Sequence, residues 1–550
     1  MKKNLTVWNL FSVVILAAFA LFIMYPIFLI LYRSVIYGDT GALTLQNFAH
    51  FFAKKFYWGT MVNSLRVTVV STILSAALGL PLAYLMRSVK IKGSSFLNIL
   101  IVISYLSPPF IGAYAWIQML GRQGVITQFL NDTFGFHYGG VYGFAGIVLV
   151  FTLQSFPLVY IYVSGALKNL DNSLNEAAES LGCSRMGRIW KIIVPLVMPT
   201  LLASSMLVFM RVFADFGTPM LIGEGYKTLP VLIYNQFMGE VSGDDGFAAA
   251  ICCIVIGLTI VMFFVQRFLA GRNTYAMTAL KPMAAESLGG LRNILAHLAV
   301  YMVVGLAILP QFVVVYTSFL ATNGGQVFTG GFALQSYDAT LFAKDNDVIW
   351  HTYFLGLCAI AAVLVLGVLI AYLSVRKRNT LNSILDVITM FPFIIPGSVL
   401  GIAFVFAFNK SPIILTGTAL IMIISFAVRR MPYTVRSSTA ILGNISPSIE
   451  EAAISLGASD MTTFRKITVP MMMPGVLSGA IMSWVTIISE LSSSIILYTN
   501  STQTLTVSIY TEVIRGNYGN ASAYATILTV TSILSLLLFY KVTGRRDVSV

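Results

Sequence analysis

Two acidic residues lie within long apolar segments, where an ionisable side chain is costly and usually faces a cavity or a partner. Asp215 and Glu490 stand 275 positions apart, half the length of the 550-residue chain. Arg211 precedes Asp215 by four residues, a spacing that favours an ion pair on one helical face, whereas Thr486 stands at that spacing before Glu490. We predict that Asp215, Arg211 and Glu490 line a substrate pathway. The alternatives are an intrahelical ion pair for the first two residues and a packing role for Glu490.

Other residues that could carry chemistry are scattered. The histidines lack the spacing of metal ligands, and the cysteines fall in apolar segments or a predicted cytoplasmic loop, which argues against a disulfide framework. No Gly-x-x-x-x-Gly-Lys-Ser/Thr sequence occurs, so ATP hydrolysis would belong to another chain. The apolar segments hold no set of nucleophile, base or metal ligands, so we predict no catalytic residue, metal site or cofactor. The residues considered are His50, His137, His297 and His351, and Cys183, Cys252, Cys253 and Cys358.

The composition indicates a protein with many membrane spans. Hydrophobic residues make up 57% of the chain and charged residues 10%, which excludes an ordinary soluble domain. Runs of about 20 apolar residues, long enough to cross a lipid bilayer as helices, predict an all-α membrane protein with twelve transmembrane helices in two sets of six. The predicted spans are 9–32, 61–86, 96–120, 142–165, 194–221, 247–269, 294–319, 352–375, 384–408, 412–428, 470–497 and 522–540.

Positive charge indicates how these spans are oriented. The first apolar run follows Lys2 and Lys3 but is far longer than the apolar core of a signal peptide, so we predict a retained span and a cytoplasmic N-terminus. Most of the 34 lysines and arginines lie in the termini and in every second loop, as expected for cytoplasmic loops, and this predicts a cytoplasmic C-terminus as well. The formal net charge of +13 is thereby explained by orientation, and no clustered basic domain indicates a nucleic-acid partner.

One 24-residue segment occurs in each half of the chain. Residues 176–199 recur as residues 451–474 with 14 identical positions and no gap. Because each half starts its six spans from the same side, we predict two parallel repeats related by an axis along the membrane normal. The first half is predicted at 1–274 with its loop at 168–195, a cytoplasmic linker at 275–291, and the second half at 292–550 with its loop at 443–470.

The repeated loop carries signals for a short helix with a defined start and end. Ser173 and Ser448 stand three residues before a glutamate, and this Ser-x-x-Glu spacing predicts a capping box. Gly182 and Gly457 predict the end of the helix, because glycine tolerates the left-handed conformation found there. A two-turn helix is not stable alone in water, so we predict that it docks into a groove of a partner, with a helix resting on the bilayer surface as the alternative. The residues predicted to dock are Glu176, Ala177, Ala178, Leu181, Gly182, Glu451, Ala452, Ala453, Leu456 and Gly457.

Prolines interrupt two of the predicted spans. Pro108 and Pro109 lie in the third span, and Pro392 and Pro396 lie in the ninth. Each proline removes a backbone donor that lipid cannot replace. Both spans are therefore predicted to break beside protein or water, either as packed kinks or as walls of the pathway.

The repeated loop resembles the coupling loop of permease subunits in binding-protein-dependent ATP-binding-cassette (ABC) importers. Its pattern is Glu-Ala-Ala, three residues, Gly, then an aromatic or aliphatic position and Ile-x-x-Pro, and the resemblance covers essentially the whole chain. The first copy has isoleucine where the second keeps the usual aromatic residue. The matching residues are Glu176, Ala177, Ala178, Gly182, Ile189, Ile192 and Pro195, then Glu451, Ala452, Ala453, Gly457, Phe464, Ile467 and Pro470.

This resemblance implies a type I ABC importer permease in the bacterial inner (cytoplasmic) membrane. It also implies two copies of an ATPase subunit that receive the loop helices, and an extracytoplasmic solute-binding protein that delivers the substrate. Residues 214–223 and 489–498 are most similar to permeases of the ferric iron subfamily, whose halves are often fused. Thiamine, phosphonates, sugar phosphates and polyamines are alternative cargoes, because permeases for them share the design. The competing class is an ion-driven secondary transporter, against which the paired loops and the scarcity of proton-relay residues argue.

Overall fold

The computed structural model describes residues 7–37, 41–135, 139–239, 245–271, 285–323, 327–342 and 347–543. The helices of the first half are α1 (Val7–Phe19), α2 (Tyr25–Ser34), α3 (Gln46–Ala53), α4 (Lys55–Ser88), α5 (Ser94–Leu106), α6 (Pro109–Leu120), α7 (Val125–Phe134), α8 (Gly143–Lys168), α9 (Ser173–Ser180), α10 (Arg185–Arg188), α11 (Val194–Ala214), α12 (Gly217–Ile222), α13 (Leu229–Met238) and α14 (Asp245–Gly271). Those of the second half are α15 (Gly290–Ser318), α16 (Gln335–Leu341), α17 (Val348–Arg376), α18 (Thr380–Ile388), α19 (Phe391–Ile394), α20 (Gly397–Phe408), α21 (Ala419–Asn444), α22 (Pro447–Ser455), α23 (Asp460–Thr463), α24 (Val469–Ile488), α25 (Ser494–Leu497), α26 (Leu505–Arg515) and α27 (Tyr518–Thr543).

Short irregular elements complete the chain. Among the described residues, three π-helical turns connect consecutive helices, at Ala20–Met24, Ile189–Ile193 and Phe464–Thr468. An antiparallel hairpin follows the first span of each half, β1 (Ile36–Tyr37) with β2 (Ala42–Leu43), and β3 (Leu320–Asn323) with β4 (Val327–Phe332). Most of the predicted linker lies outside the described residues, so its bounds stay a prediction.

Within the described ranges, nine helices are long and apolar enough to cross a membrane, and the number is eleven if each of two sharply bent helix pairs counts as one span. The all-α membrane class is confirmed, and the count of twelve is not. The predicted span 412–428 has the wrong bounds, because the helix there is α21, which begins at Ala419 and continues to Asn444. Arg429 and Arg430 lower the hydropathy and end the apolar run, yet both belong to the helix.

Both proline-containing spans break as predicted. The chain turns by 101° between the two segments of the third span and by 110° between those of the ninth. Pro108 immediately precedes α6 and Pro396 immediately precedes α20. The fixed φ of proline suits this position, so each proline ends one segment and allows the next to start in a new direction.

The repeat is visible in how the second and fourth spans of each half pack. α4 lies along α8, where a methyl group placed on Gly79 would meet the Cβ of Val159 at 2.7 Å. In the second half, a methyl group placed on Gly367 of α17 would meet the Cγ2 of Thr434 of α21 at 2.8 Å. A glycine at this point lets the two backbones approach closely, as small residues do in membrane bundles.

Replacing Gly367 by valine is expected to destabilise the protein by about 1–3 kcal/mol, because the added side chain forces α17 away from α21. Thermal unfolding of the purified protein measures the effect. Gly257→Val in α14 is the matched control, since nothing lies within 4 Å of a methyl group at Gly257. Equal losses in the two variants would contradict close helix packing as the cause.

The first span of each half packs against the other half. The ring centroid of Trp8 in α1 lies 4.7 Å from that of Tyr372 in α17 and 5.2 Å from that of Phe464. In the second half, α15 packs along α5 and α6, and His297 of α15 accepts a hydrogen bond from the backbone N–H of Lys92 at 3.2 Å. The two halves are therefore interleaved.

Candidate docking loops and central charged site

The two repeated loops form short helices, α9 and α22, that end at the predicted glycines. Gly182 follows α9 with a φ of +79°, and Gly457 follows α22 with a φ of +92°. Both values lie in the left-handed region that favours glycine. The last helical residues are Ser180 and Ser455, so each glycine stands two residues beyond its helix.

The predicted Ser-x-x-Glu capping boxes are wrong in both loops. In the first loop, the backbone N–H of Ser173 donates to the Asp171 carboxylate at 2.9 Å, and Ser173 is already the first residue of α9. In the second loop, Pro447 takes the first helical position and Ser446 is the cap. Proline suits this position because it has no N–H to satisfy and its φ is fixed near the helical value. Each helix therefore starts earlier than the capping box predicts, at Ser173 and at Pro447.

A leucine side chain projects into open space directly after the last residue of each loop helix. Leu181 is 88% exposed and Leu456 is 90% exposed. Exposed apolar residues at equivalent points of two repeated helices mark a surface suited to a partner. Of the other predicted docking residues, Ala178 is half-buried, Ala453 is buried, and Glu176, Ala177, Gly182, Glu451, Ala452 and Gly457 are exposed.

Both loop helices lie at the same end of the bundle. α4 and α8 run in the same direction, so the end of α4 and the first loop lie together. The start of α15 is beside them, because Glu286, just before it, pairs with Val89 at the end of α4. α15 crosses the bundle and α17 returns, and Arg376 at the end of α17 donates a hydrogen bond to Glu450 of α22.

The two loops differ in how they are attached to the spans. In the second loop, the Arg376 guanidinium contacts Glu450 at 2.9 Å, and the two side chains are only 10% and 12% exposed. The offset of 275 makes Asn175 the counterpart of Glu450, and the offset of 288 between Gly79 of α4 and Gly367 of α17 makes Ser88 the counterpart of Arg376. Neither residue is charged, so the ion pair that fixes the second loop helix to its span has no counterpart at these positions.

The aromatic position of the repeat adds to this difference. Phe464 packs on Trp8 and Tyr372, with ring centroids at 5.2 and 4.7 Å. The N-terminal span therefore contacts the second loop directly. Ile189 holds the corresponding position in the first loop and packs, half-buried, against the core of the first half.

The helix of the fifth span in the first half ends just before Asp215. α11 ends at Ala214, and the Asp215 carboxylate accepts a hydrogen bond from the N–H of Thr218 at 2.9 Å. The Arg211 guanidinium lies 4.8 Å from the ring centroid of Tyr105. Within the described part of the chain, Arg211 and Asp215 form no ion pair. The predicted intrahelical pair is wrong, because the helix ends before the two residues can share a face.

Glu490 stands at the equivalent break, after α24, and is 3% exposed. Its carboxylate pairs with two arginines of α21, one to each oxygen: Arg429 and Arg430. The N–H of Ser493 adds a hydrogen bond at 3.2 Å. Glu490 has no arginine on its own helix, as its sequence indicates, and its counter-charges come from across the bundle.

Arg429 and Arg430 are the site residues that sequence reasoning missed. The predicted tenth span ended at residue 428 and left both arginines in a loop. The repeat contained the missing signal, because the prolines inside α8 and α21 stand 275 residues apart and α8 continues well beyond its proline. At this offset the first half has Gln154 and Ser155, so the arginine pair occurs only in the second half.

The two helix breaks meet between the halves. Gly217 lies against Leu491, whose side chain would be 3.1 Å from a methyl group on the glycine. Phe216 packs on Tyr234 of its own half and on Tyr510 of the other, with ring centroids at 4.7 and 6.0 Å. Asp215 and Glu490 therefore flank one contact between the halves. Among the residues that the structure describes, no three His, Cys, Asp or Glu side chains are grouped to hold a metal ion.

Comparison with known proteins gives one family and several relatives. The family described as "Binding-protein-dependent transport system inner membrane component" matches twice, at residues 75–275 and 363–546. The ferric transport system permease protein FbpB of Actinobacillus pleuropneumoniae is 30% identical over 546 residues, 97% of this chain and 78% of that protein. The putative ferric transport system permease protein FbpB 1 of Haemophilus influenzae is 30% identical over 505 residues, 90% of this chain and 78% of that protein.

More distant matches cover one half of the chain. The molybdenum transport system permease protein ModB of Escherichia coli is 28% identical over 218 residues, 39% of this chain and 93% of that protein. Among solved structures, a bacterial ABC transporter involved in the import of the acidic polysaccharide alginate matches 48% of this chain and 96% of the matched chain. The TM-score is 0.40 with 16% sequence identity, and no conclusion rests on that likeness.

Proposed function

The chain belongs to the family of binding-protein-dependent transport system inner membrane components, and from this premise we propose that it is the fused permease of an ATP-driven importer of ferric iron. The substrate enters from an extracytoplasmic binding protein at the end of the bundle opposite the loop helices. It passes between the two halves and leaves on the cytoplasmic side. Both termini lie in the cytoplasm, and separate ATPase subunits supply the energy.

The exposed leucines on the two loop helices carry this proposal. Leu181 and Leu456 stand at equivalent points at one end of the bundle, on helices too short to be stable in isolation. Two equivalent surfaces suit two identical partners, and two copies of an ATPase subunit fit this requirement. Each ATPase subunit binds one loop helix, and the loops transmit movement of the subunits to the spans.

The choice of cargo rests on the relatives. Two proteins that share 30% identity over most of this chain are ferric transport permeases by name. The molybdenum transport permease is 28% identical over 39% of the chain, which makes molybdenum the second candidate cargo. Identifying the binding protein that co-purifies with this permease, and the solute it holds, decides between them.

Leu456→Asp is expected to abolish binding of the ATPase subunit to the second loop, because it places a charge where an apolar side chain meets the partner's groove. Leu181→Asp is expected to have the same effect at the first loop. Both side chains are exposed, so the permease itself is expected to stay folded. Co-purification of the ATPase and ATP-dependent uptake in membrane vesicles measure the effects.

Leu43→Asp is the matched control, since Leu43 is 78% exposed in β2, at the other end of the first span from the N-terminus. It is expected to leave the amount of bound ATPase unchanged. Normal ATPase binding and normal uptake in the double variant Leu181→Asp/Leu456→Asp would contradict docking through these helices.

A further inference from the structure

The ion cluster around Glu490 carries more positive than negative charge. Arg429 and Arg430 face one carboxylate, and among the described residues no other acidic group interacts with either arginine. Arg211 and Asp215 lie nearby and cancel each other in formal charge. One positive charge is therefore left without a counter-charge on side chains that are only 11% and 19% exposed, a costly state inside a membrane bundle.

The two arginines also carry buried donors without acceptors. The Nε atoms of Arg429 and Arg430 are buried and have no hydrogen-bond partner in the described part of the chain. Ser398, next to Gly397, is 0% exposed, and its hydroxyl also has no partner among the described residues. A buried donor without an acceptor costs about 1–3 kcal/mol. An anion bound at this point would supply acceptors for such donors.

The end of a broken helix adds to the positive field. Gly397 begins the 12-residue helix α20, and no side chain caps its N-terminus. The Arg429 guanidinium lies directly on Gly397, where a methyl group would collide with it. The positive end of the α20 dipole and the Arg429 guanidinium therefore lie together beside the break in the ninth span, with Arg430 on the other oxygen of Glu490 and Ser398 in the first turn of α20.

We propose that Arg429, Arg430 and the N-terminus of α20 form a binding site for an oxyanion group, and that Glu490 occupies this site when the anion is absent. The inference rests on the proposed import function and specifies the chemistry of what is carried. The anion is either the cargo itself or the counter-ligand that accompanies a ferric ion. The first half has Gln154 and Ser155 at the arginine positions, so each transporter holds one such site.

Glu490→Gln provides the decisive experiment. It removes the carboxylate that pairs with the two arginines and keeps the side chain nearly the same size. The purified full-length variant is placed in lipid nanodiscs, and its Tm is measured with increasing inorganic phosphate and, separately, with chloride at equal ionic strength. We expect a lowered Tm in chloride and a saturable recovery with phosphate. We also expect the variant to bind phosphate at least about tenfold more tightly than the unmodified protein, since no carboxylate competes. A Tm that phosphate raises no more than chloride does would overturn the proposal and leave a purely structural ion pair.

Ser398→Ala is the variant that tests the site without removing a charge. Its fold is expected to be intact, and its phosphate affinity to fall by roughly threefold to tenfold through loss of one hydrogen bond. Arg122→Gln is the control, because Arg122 forms an exposed ion pair with Glu224 away from this site. It is expected to leave phosphate binding unchanged. Equal phosphate affinity in the Ser398 and Arg122 variants would contradict the assignment of Ser398 and α20 to the site.

Adding ferric iron as a soluble chelate separates the two sources of the anion. Tighter phosphate binding in the presence of ferric iron identifies the anion as a counter-ligand, and unchanged binding identifies the anion as cargo. None of these measurements needs an ATPase or a binding protein. Failure of the phosphate experiment therefore leaves the docking of Leu181 and Leu456 untouched, and failure of docking leaves the phosphate result intact.

Discussion

Glu490→Gln is expected to lower the free energy of unfolding by about 3–5 kcal/mol in buffer that contains only chloride, because it leaves two largely buried arginines without their counter-charge. Glu490 is 3% exposed and contacts both guanidinium groups, whose side chains are 11% and 19% exposed, so solvent replaces little of the lost carboxylate charge. Thermal or denaturant unfolding of the purified protein in detergent micelles measures the difference. Expression and membrane insertion are expected to decline in parallel.

Asp215→Asn is the matched comparison at the equivalent break. The Asp215 carboxylate accepts one hydrogen bond from the N–H of Thr218, and the amide oxygen of asparagine can accept the same bond. The expected cost is below about 1 kcal/mol. An ion pair between Arg211 and Asp215, the alternative that the sequence spacing left open, would predict the opposite order. A larger loss of stability for Asp215→Asn than for Glu490→Gln would contradict the absence of that pair.

Glu450→Gln is expected to cost about 2 kcal/mol, less than a fully buried pair because the Arg376–Glu450 contact is near the end of the bundle. The loss is expected to be local and to release α22 from the end of α17. Hydrogen exchange of the amides of residues 447–455 measures this loosening. ATP consumed per substrate transported is expected to rise, because movement of the ATPase at the second loop no longer reaches the span directly.

The first loop supplies the control for that experiment. Asn175 holds the position that corresponds to Glu450, and the position that corresponds to Arg376 is held by the uncharged Ser88. Asn175→Ala is expected to change hydrogen exchange of α9 only slightly. Equal loosening of the two loop helices would contradict the unequal attachment inferred from the Arg376–Glu450 pair.

Much of the fold was predictable because it depends on strong, regular signals. Apolar runs located the spans, the repeat divided the chain, and the prolines marked both broken spans, since no lipid can replace the donor that proline removes. The ends of the loop helices were also predictable, because Gly182 and Gly457 adopt a conformation that few other residues tolerate. The starts were not, because Asp171 and Pro447 offered local alternatives to the expected capping box.

The central site was predictable only in part. Asp215 and Glu490 were detectable because charge is rare in an apolar run. Their partners depend on tertiary contacts that no sequence spacing encodes. Arg429 and Arg430 pair with a residue about 60 positions away, and the rule that located the spans by low charge removed both arginines from the helix. Hydropathy therefore misplaces the end of a helix where charged residues lie inside the bundle.

The interleaving of the halves has a consequence for the order in which the chain is made. Trp8 leaves the ribosome 456 residues before Phe464 (464 − 8), the ring it contacts in the folded protein. At synthesis rates of roughly 5–20 residues per second, the first helix waits about 20–90 seconds for that contact. During this time the Ser12 hydroxyl can donate to the carbonyl of Trp8 in its own helix. Its hydrogen bond to the Asn382 side chain can form only after the second half has been synthesised. The described part of the first span, from α1 to α2, carries no charged residue before Arg33, and it can therefore stay in lipid alone until the second half has been synthesised.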